Sequence, residues 1–457
     1  MGKQGTESRK IVLDILSEYK SGNGKFNEVL KSALDKADYM EKTDKAFISR
    51  LARGCVEKEY TLCYVISMYA HTGNKKIKPV IKLILEMAVY QILFMDGVKD
   101  YAACSEAVNL VKKRGLSGLT PFVNGVLRNI VREKENIVWP DKEKDRKQYL
   151  SVMYSFPEWL IDYFDEIYGR DECERILEGT EKKGNLTVRL NEKLPSDKQK
   201  EIIGRIEETG IEINEHPYSR YAFILDNIDS IGRVPGFAEG YITVQDITSQ
   251  LAVAVAGIKE GDTVLDCCAA PGGKTMHAAL LAGESGKVFS RDVSDYKLEL
   301  IRENANRLGL NNIEYEIRDA RETDEKLIGK CDVVICDAPC SGLGIIGRKP
   351  DIKYNVTPDT IRELALLQRQ IIDTAVKYLK KGGIFIYSTC TVTREENLDN
   401  RQYIIDEKGL KPMPFISNLN EKLVSNSNKA DLEAGFIRFL PGHDAADGFF
   451  ISRYTNE

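Results

Sequence analysis

No Cys-x-x-Cys pair occurs among the ten cysteines of this 457-residue chain, and its four histidines (His71, His216, His277, His443) are scattered. Zinc sites are built from such local ligand pairs, so no metal is expected. Most of the thiols, Cys55, Cys63, Cys104 and Cys267 among them, read as small buried apolar residues. Long hydrophobic runs are missing too. The longest, around Pro79 to Phe94, is broken by Lys82 and Glu86, and a membrane span needs roughly 18 apolar residues. The first residues, Met1 to Glu7, lack the apolar core of a signal peptide. A cytoplasmic chain without a membrane partner, and a monomer, is the expectation.

An overall excess of positive charge is also absent: the net charge is −5. The average hides a division. Residues 1–140 carry 23 Lys/Arg against 16 Asp/Glu, a net of +7, whereas 141–235 and 236–457 each carry a net of −6. Phosphate contacts would fall at the basic end, and a solvated helical surface accounts for the same count.

What is present sorts into three domains. Residues 1–140 are helix after helix, with apolar residues at three- and four-residue spacing (Ile11, Ile15; Phe47, Ile48, Leu51; Ile81, Ile84, Leu85, Ala88, Val89, Ile92). Breaks fall at Gly22-Asn23-Gly24, Thr72-Gly73-Asn74 and Gly97. Residues 141–235 form a charged linker, a short helical connector and a small α/β unit. Its strand is Asn185–Asn191, its helix Lys198–Glu208, and further strands lie near Ile211–Asn214 and Ala222–Leu225. From 236 onward a turn and strand (237–246) lead into strand–helix alternation, which predicts a parallel sheet wrapped by helices.

The rest of the chain is arranged around Gly261–Thr275. Here a short strand ends at Asp266, a small-residue turn follows (Cys268, Ala269, Ala270, Pro271, Gly272, Gly273), and a helix begins near Thr275. Such a turn brings free backbone N–H groups to a polar ligand. The pattern is no phosphate-binding Walker loop, because Gly273-Lys274-Thr275 lacks that motif's first glycine. Four aspartates, Asp266, Asp292, Asp319 and Asp337, close predicted strands on one edge, which is the ligand crevice of an open α/β sheet. They suit a ligand rich in hydroxyls and amines rather than a polyphosphate. S-adenosyl-L-methionine fits, with Asp292 on the ribose hydroxyls, Asp319 near the adenine amine and the glycine turn at the amino-acid end. Cys340 and Cys390 each follow a strand end on this edge. Two thiols beside a methyl donor point to a carbon that must be activated, such as C5 of a pyrimidine.

Asp337-Ala338-Pro339-Cys340-Ser341-Gly342 and Ser388-Thr389-Cys390 resemble the two cysteine motifs of the RNA 5-methylcytosine methyltransferases, the NOL1/NOP2/Sun family. Cys268–Lys274 is similar to that family's cofactor loop. Val244-Gln245-Asp246 with Ser249-Gln250, and Asp447-Gly448-Phe449-Phe450, match its flanking motifs. In the first domain, Lys45–Leu51 with Gly54, Ala107–Lys113 and Phe122–Arg128 resemble the NusB-like RNA-binding fold. The resemblance implies a Rossmann-like class I methyltransferase domain behind a small α/β connector and an all-α NusB-like domain. It implies 16S rRNA as partner, Cys390 as nucleophile, Cys340 assisting product release, and Asp337 and Lys274 lining the cytosine site. Leu343, where threonine is frequent, and Arg291, before the ribose carboxylate, depart from the pattern. Two rivals stand beside this reading: the same chemistry on tRNA or another rRNA site, and a non-catalytic RNA-binding assembly or transcription factor.

Overall fold

The computed structural model describes residues 2–70, 76–182, 186–228, 230–443 and 445–457. The expected break at Thr72-Gly73-Asn74 lies outside the described residues, as do His71 and Asn185. The chain divides into two units: residues up to Glu181 with Arg348–Asn355, and Lys182–Gly347 with Val356–Glu457.

The first unit is helical; the periodicity predicts this for residues 1–140, and the helices between Arg146 and Glu181, which the expected division sets apart in 141–235, belong to the same unit. It comprises α1 (Gly2–Lys20), α2 (Phe26–Lys36), α3 (Lys42–Glu57), α4 (Glu59–Tyr69), α5 (Pro79–Phe94), α6 (Asp100–Lys113), α7 (Thr120–Glu133), α8 (Arg146–Tyr154), α9 (Glu158–Tyr168) and α10 (Arg170–Glu181). The long apolar run is α5. It is buried almost all round, as a helix without a polar face must be, and α1, α3, α4, α6 and α7 pack against it. No helix among the described residues is long and apolar enough to cross a membrane. Lys82 and Glu86, which interrupt the run, pair across one turn at 3.5 Å, and burial pushes the Glu86 carboxyl up to about 7. Cys55 and Cys267 are buried as expected, but Cys63 and Cys104 are only half-buried. Cys63 turns toward the Glu86 carboxylate at 3.4 Å, and Cys104 opens onto a surface groove.

Residues 348–355 complete this unit although they follow Cys340 in sequence. Lys353 is their anchor. Its ammonium donates to the carbonyls of Glu57 (3.0 Å) and Tyr154 (3.2 Å) and lies 4.5 Å from the centre of the Phe156 ring. Burial lowers its pKa to about 7.

The second unit holds two sheets. In the smaller, β1 (Leu186–Leu190), β2 (Glu212–His216), β3 (Ser219–Asp226) and β4 (Ile242–Val244) take the order β2-β3-β1-β4, all antiparallel. Val188, Leu190, Phe223 and Leu225 face Ile202 and Ile206 of α11 (Ser196–Glu207). The strand expected to open the catalytic domain is β4, and it joins this small sheet instead. Val188 pairs with Val244 and Leu190 with Ile242, and the buried Ile242 finds its apolar partners there.

After α12 (Ile247–Ala254) come β5 (Thr263–Asp266), α13 (Gly273–Ala282), β6 (Lys287–Asp292), α14 (Asp295–Leu308), β7 (Ile313–Ile317), β8 (Cys331–Asp337), α15 (Pro358–Ala375), β9 (Leu379–Thr389), α16 (Leu398–Lys408), β10 (Lys411–Pro412), β11 (Phe436–Phe439) and β12 (Phe449–Thr455). The larger sheet runs β10-β12-β9-β8-β5-β6-β7, with β11 on β12. Strands β5 to β9 are parallel. The last three are antiparallel, so the sheet is mixed rather than wholly parallel. A short connection such as that between β11 and β12 can join only antiparallel neighbours. From β5 the chain moves out to β6 and β7, then returns to β8 and β9 on the other side. The strand order therefore reverses beside β5, where such sheets bind their ligands.

Candidate active site

The loop after β5 is tied to its surroundings by its backbone. The N–H of Ala269 donates to the Arg291 carbonyl (2.9 Å), that of Gly272 to Ala269 (2.7 Å), and that of Ala270 to Asp292 Oδ2 (3.3 Å). Gly272 sits at φ +101°, where a side chain would be strained and its Cβ would meet Ile301 at 3.0 Å. Helix α13 starts at once, at Gly273, with Gln245 Nε2 donating to that residue's carbonyl (3.1 Å). Asp266 is fully buried at the end of β5 and accepts from Thr275 Oγ1 at 2.7 Å. Burial raises its pKa to about 6. Among the described residues its other oxygen has no side-chain hydrogen-bond partner, and the Cys268 backbone N–H acts on the carboxylate to lower its pKa. A buried acceptor with spare capacity beside a glycine turn fits a ligand bearing an ammonium or hydroxyl groups.

At the second residue of α13, the buried Lys274 donates to Asp337 Oδ2 (2.7 Å) and Ser249 Oγ (3.2 Å), with the Phe449 ring centre 5.3 Å away. Ser388 Oγ donates to the other Asp337 oxygen (2.7 Å). The ends of β8 and β9 are thus joined through one carboxylate. The loops beyond them bring Cys340 and Cys390, 50 residues apart in sequence, to a sulfur–sulfur distance of 3.2 Å with both thiols free. The hydrogen bond with Cys390, burial, and the charges of Glu396 and Asp337 together raise the pKa of Cys340 well above the ordinary thiol value. Backbone contact locks this arrangement: Gly344 N–H donates to the Cys390 carbonyl (3.1 Å) and Gly448 N–H to the Gly344 carbonyl (2.8 Å). A Cβ on Gly344 would lie 2.0 Å from the Gly448 oxygen, so only glycine permits the approach.

Asp292 closes β6 with little exposure and has Lys297 Nζ at 3.4 Å. Asp319 lies just past β7 and is held by the Arg321 guanidinium, which keeps its carboxyl down at about 2. It makes no hydrogen bond to the other strand-end aspartates among the described residues. Arg291 points away from the ligand edge into a buried pairing with Glu316 (2.6 Å) and Asp324 (2.5 Å), so it does not compete for Asp292's ligand. Leu343 is buried under the Cys340 loop. No group of three or more His, Cys, Asp or Glu residues is placed to hold a metal ion among the described residues.

Sequence reasoning missed a second layer: Ser341, Gln368, Ser388 and Glu396, all buried and polar. Ser341 and Ser388 stand inside the cysteine motifs and Glu396 follows Cys390 closely, but Gln368 lies in α15, far from either motif in sequence, and polar character alone is shared by any exposed loop or helix face.

In the first unit, several of the helix-surface cations that could meet phosphates already have protein partners. Arg50 donates to the Phe94 carbonyl (2.9 Å), Arg53 to that of Arg348 (2.9 Å), and Arg114 pairs with Asp14. Lys112 and Arg128 instead line a groove of about 1100 Å³ between α6 and α7, together with Lys99, Arg132, Asn124 and the exposed Tyr101.

Three family models match in chain order: the NusB family over residues 6–132, the ferredoxin-like domain of RsmF/B-like methyltransferases over 156–231, and the 16S rRNA methyltransferase RsmB/F family over 253–455. The chain is 33% identical to "Probable ribosomal RNA small subunit methyltransferase B" of Bacillus subtilis (strain 168), covering 98% of each chain. It is 32% identical to ribosomal RNA small subunit methyltransferase B of Vibrio cholerae over 82% of its own length and 80% of the relative's. The crystal structure of PH0851 superposes with a TM-score of 0.80 at 25% identity, covering 98% of both chains. Identity held from end to end, through all three domains in the same order, places this chain in the ribosomal RNA small subunit methyltransferase B family.

Proposed function

We propose that the chain transfers a methyl group from S-adenosylmethionine to C5 of one cytosine in 16S rRNA through a covalent bond between Cys390 and C6. The observation that carries this reading is the 3.2 Å approach of the Cys340 and Cys390 sulfurs at the ligand edge of the sheet. Transfer to an oxygen or nitrogen has no use for a pair of thiols, whereas C5 of a pyrimidine is not nucleophilic unaided. The Cys390 thiolate adds to C6 and moves the C5–C6 electron pair onto C5, which takes the methyl group. When bound, the cofactor supplies that methyl in electrophilic form on a sulfonium sulfur. With Cys340 assisting, the C5 proton is removed, the double bond re-forms and Cys390 leaves as thiolate.

Asp337, fixed by Lys274 and Ser388, accepts from the exocyclic amine of the base, and Lys274 balances its charge. Cys268, Ala269, Ala270, Pro271, Gly272 and Gly273 take the amino-acid end of the cofactor. Asp292 takes the ribose hydroxyls and Asp319 the adenine amine. A non-catalytic platform would not need both thiols and the lysine–aspartate pair kept in working order, which disfavours the assembly-factor reading. The test is nucleoside analysis of 16S rRNA and tRNA incubated with the protein and cofactor. The expected product is 5-methylcytidine, in 16S rRNA alone. A product methylated on nitrogen or ribose, or one found in tRNA, would contradict the reading.

The same reading assigns the α6–α7 groove to RNA phosphates. Lys112→Ala with Arg128→Ala is expected to weaken RNA binding and to flatten its salt dependence. The slope of log affinity against log salt should fall by roughly 1.4–1.8 for two phosphate contacts, with cofactor affinity unchanged. Filter binding across a salt series checks this, and an unaltered slope would mean these cations are only a solvated face.

A further inference from the structure

Resting on the proposed reaction, we infer that Glu396 is a positioning residue for Cys340, holding its loop so that this thiol can act on the adduct formed by Cys390. Glu396 lies between Cys390 and α16 and is fully buried. Each carboxylate oxygen receives two donors. Oε1 accepts from the Ser341 backbone N–H (2.8 Å) and Gln368 Nε2 (2.9 Å), and Oε2 accepts from Ser341 Oγ (2.5 Å) and Thr393 Oγ1 (2.7 Å). Since the Ser341 hydroxyl donates to Glu396, the Thr391 hydroxyl donates to Ser341 Oγ at 2.7 Å.

Gln368 carries the arrangement one residue further: the same Nε2 donates to the Pro339 carbonyl at 2.9 Å. The residues on both sides of Cys340 are therefore pinned, Pro339 through Gln368 and Ser341 through Glu396. Behind them the Tyr387 hydroxyl donates to the Glu396 carbonyl (2.6 Å), and Asn400 Nδ2 donates to Gln368 Oε1 (2.7 Å). Charged hydrogen bonds of this kind are among the stronger fixed contacts in an interior. The network ties the loop after β8 to the loop after β9; burial raises the pKa of its carboxylate, and the donors from Ser341, Thr393 and Gln368 oppose that shift. Among the described residues, none of its members hydrogen-bonds the sulfur of Cys390, whose partner is the Cys340 sulfur.

The inference predicts a particular failure. Glu396→Ala strips Ser341, beside Cys340, of both its acceptors, and in the loop after β9 it costs the Thr393 hydroxyl its acceptor, while the Cys390 carbonyl keeps the Gly344 N–H and the Lys274–Asp337 pair is left intact. Addition and methyl transfer proceed, and release slows by up to about a hundredfold, the scale on which misplacing a reacting group by an ångström acts. Protein–RNA adduct should then build up above the wild-type level. Glu396→Gln, which keeps an acceptor for the Ser341 N–H, should accumulate less, and Ser341→Ala, which retains the carboxylate, should fall between.

The adduct is read by denaturing electrophoresis with labelled 16S rRNA, alongside Cys340→Ala and the double variant Cys340→Ala/Glu396→Ala. A residue acting through Cys340 adds nothing to the double variant. Adduct in Glu396→Ala or Ser341→Ala, unchanged cofactor affinity and no increase in the double variant support the inference. If Cys340→Ala traps adduct while Glu396→Ala, Glu396→Gln and Ser341→Ala all lack it, the assignment of Glu396 is overturned and the reaction stands. If Cys340→Ala itself traps none, it is the reaction that fails.

Discussion

Cys340→Ala is expected to accumulate protein covalently joined to 16S rRNA, whereas Cys390→Ala gives neither adduct nor methylated product. The asymmetry follows from the order of bonds. Without the Cys390 thiolate nothing adds to C6, C5 is never activated, and the reaction stops before methyl transfer. Without Cys340 the addition and the transfer still take place, but the adduct cannot collapse efficiently, and the complex survives boiling in detergent. A cysteine that merely packed a core would give neither pattern, since a smaller residue there lowers stability instead. The thiols are 3.2 Å apart, so one base can be within reach of both. An adduct from Cys390→Ala and none from Cys340→Ala would reverse the roles.

Asp292→Ala should weaken S-adenosylmethionine binding on the order of tenfold to a hundredfold. Asp292 closes β6 with little solvent exposure and accepts the Ala270 N–H, so it is fixed against the glycine loop rather than mobile. Removing a charged acceptor from a buried hydroxyl costs about 1.5–3 kcal/mol, and each 1.4 kcal/mol is about tenfold. Isothermal titration calorimetry measures it directly. Wild-type affinity in the variant would move the ribose away from Asp292. Asp319→Ala should have the smaller effect, because Arg321 already occupies that carboxylate.

The strand ends were legible because apolar runs stop there at single aspartates: Val264-Leu265 before Asp266, and Val333 to Cys336 before Asp337. Convergence of Cys340 and Cys390 was legible for the same reason, since both follow strands of one sheet edge. Glu396 was not. In Thr391-Val392-Thr393-Arg394-Glu395-Glu396-Asn397 nothing in the local pattern separates the buried carboxylate from its neighbour, because burial is decided by Ser341 and Gln368, 55 and 28 residues away.

Strand direction was equally hidden. Phe436–Phe439 and Phe449–Thr455 carry strand-like residues, but a two-residue period is the same for parallel and antiparallel pairing. Residues 348–355 (Arg-Lys-Pro-Asp-Ile-Lys-Tyr-Asn) carry only Pro350, Ile352 and Tyr354 among polar and charged neighbours, too little to mark a core-facing segment, and yet they complete the helical unit, with Tyr354 packed against its core. Lys353 is buried there by its aliphatic stem while two carbonyls take up its ammonium.

Mass spectrometry of the Cys340→Ala complex, after ribonuclease and protease digestion, tests the central claim most directly. The account predicts a peptide carrying Cys390 cross-linked to a cytidine that already bears the methyl group. A cross-link at any other residue, or a cytidine without the methyl group after full turnover with cofactor, would contradict it.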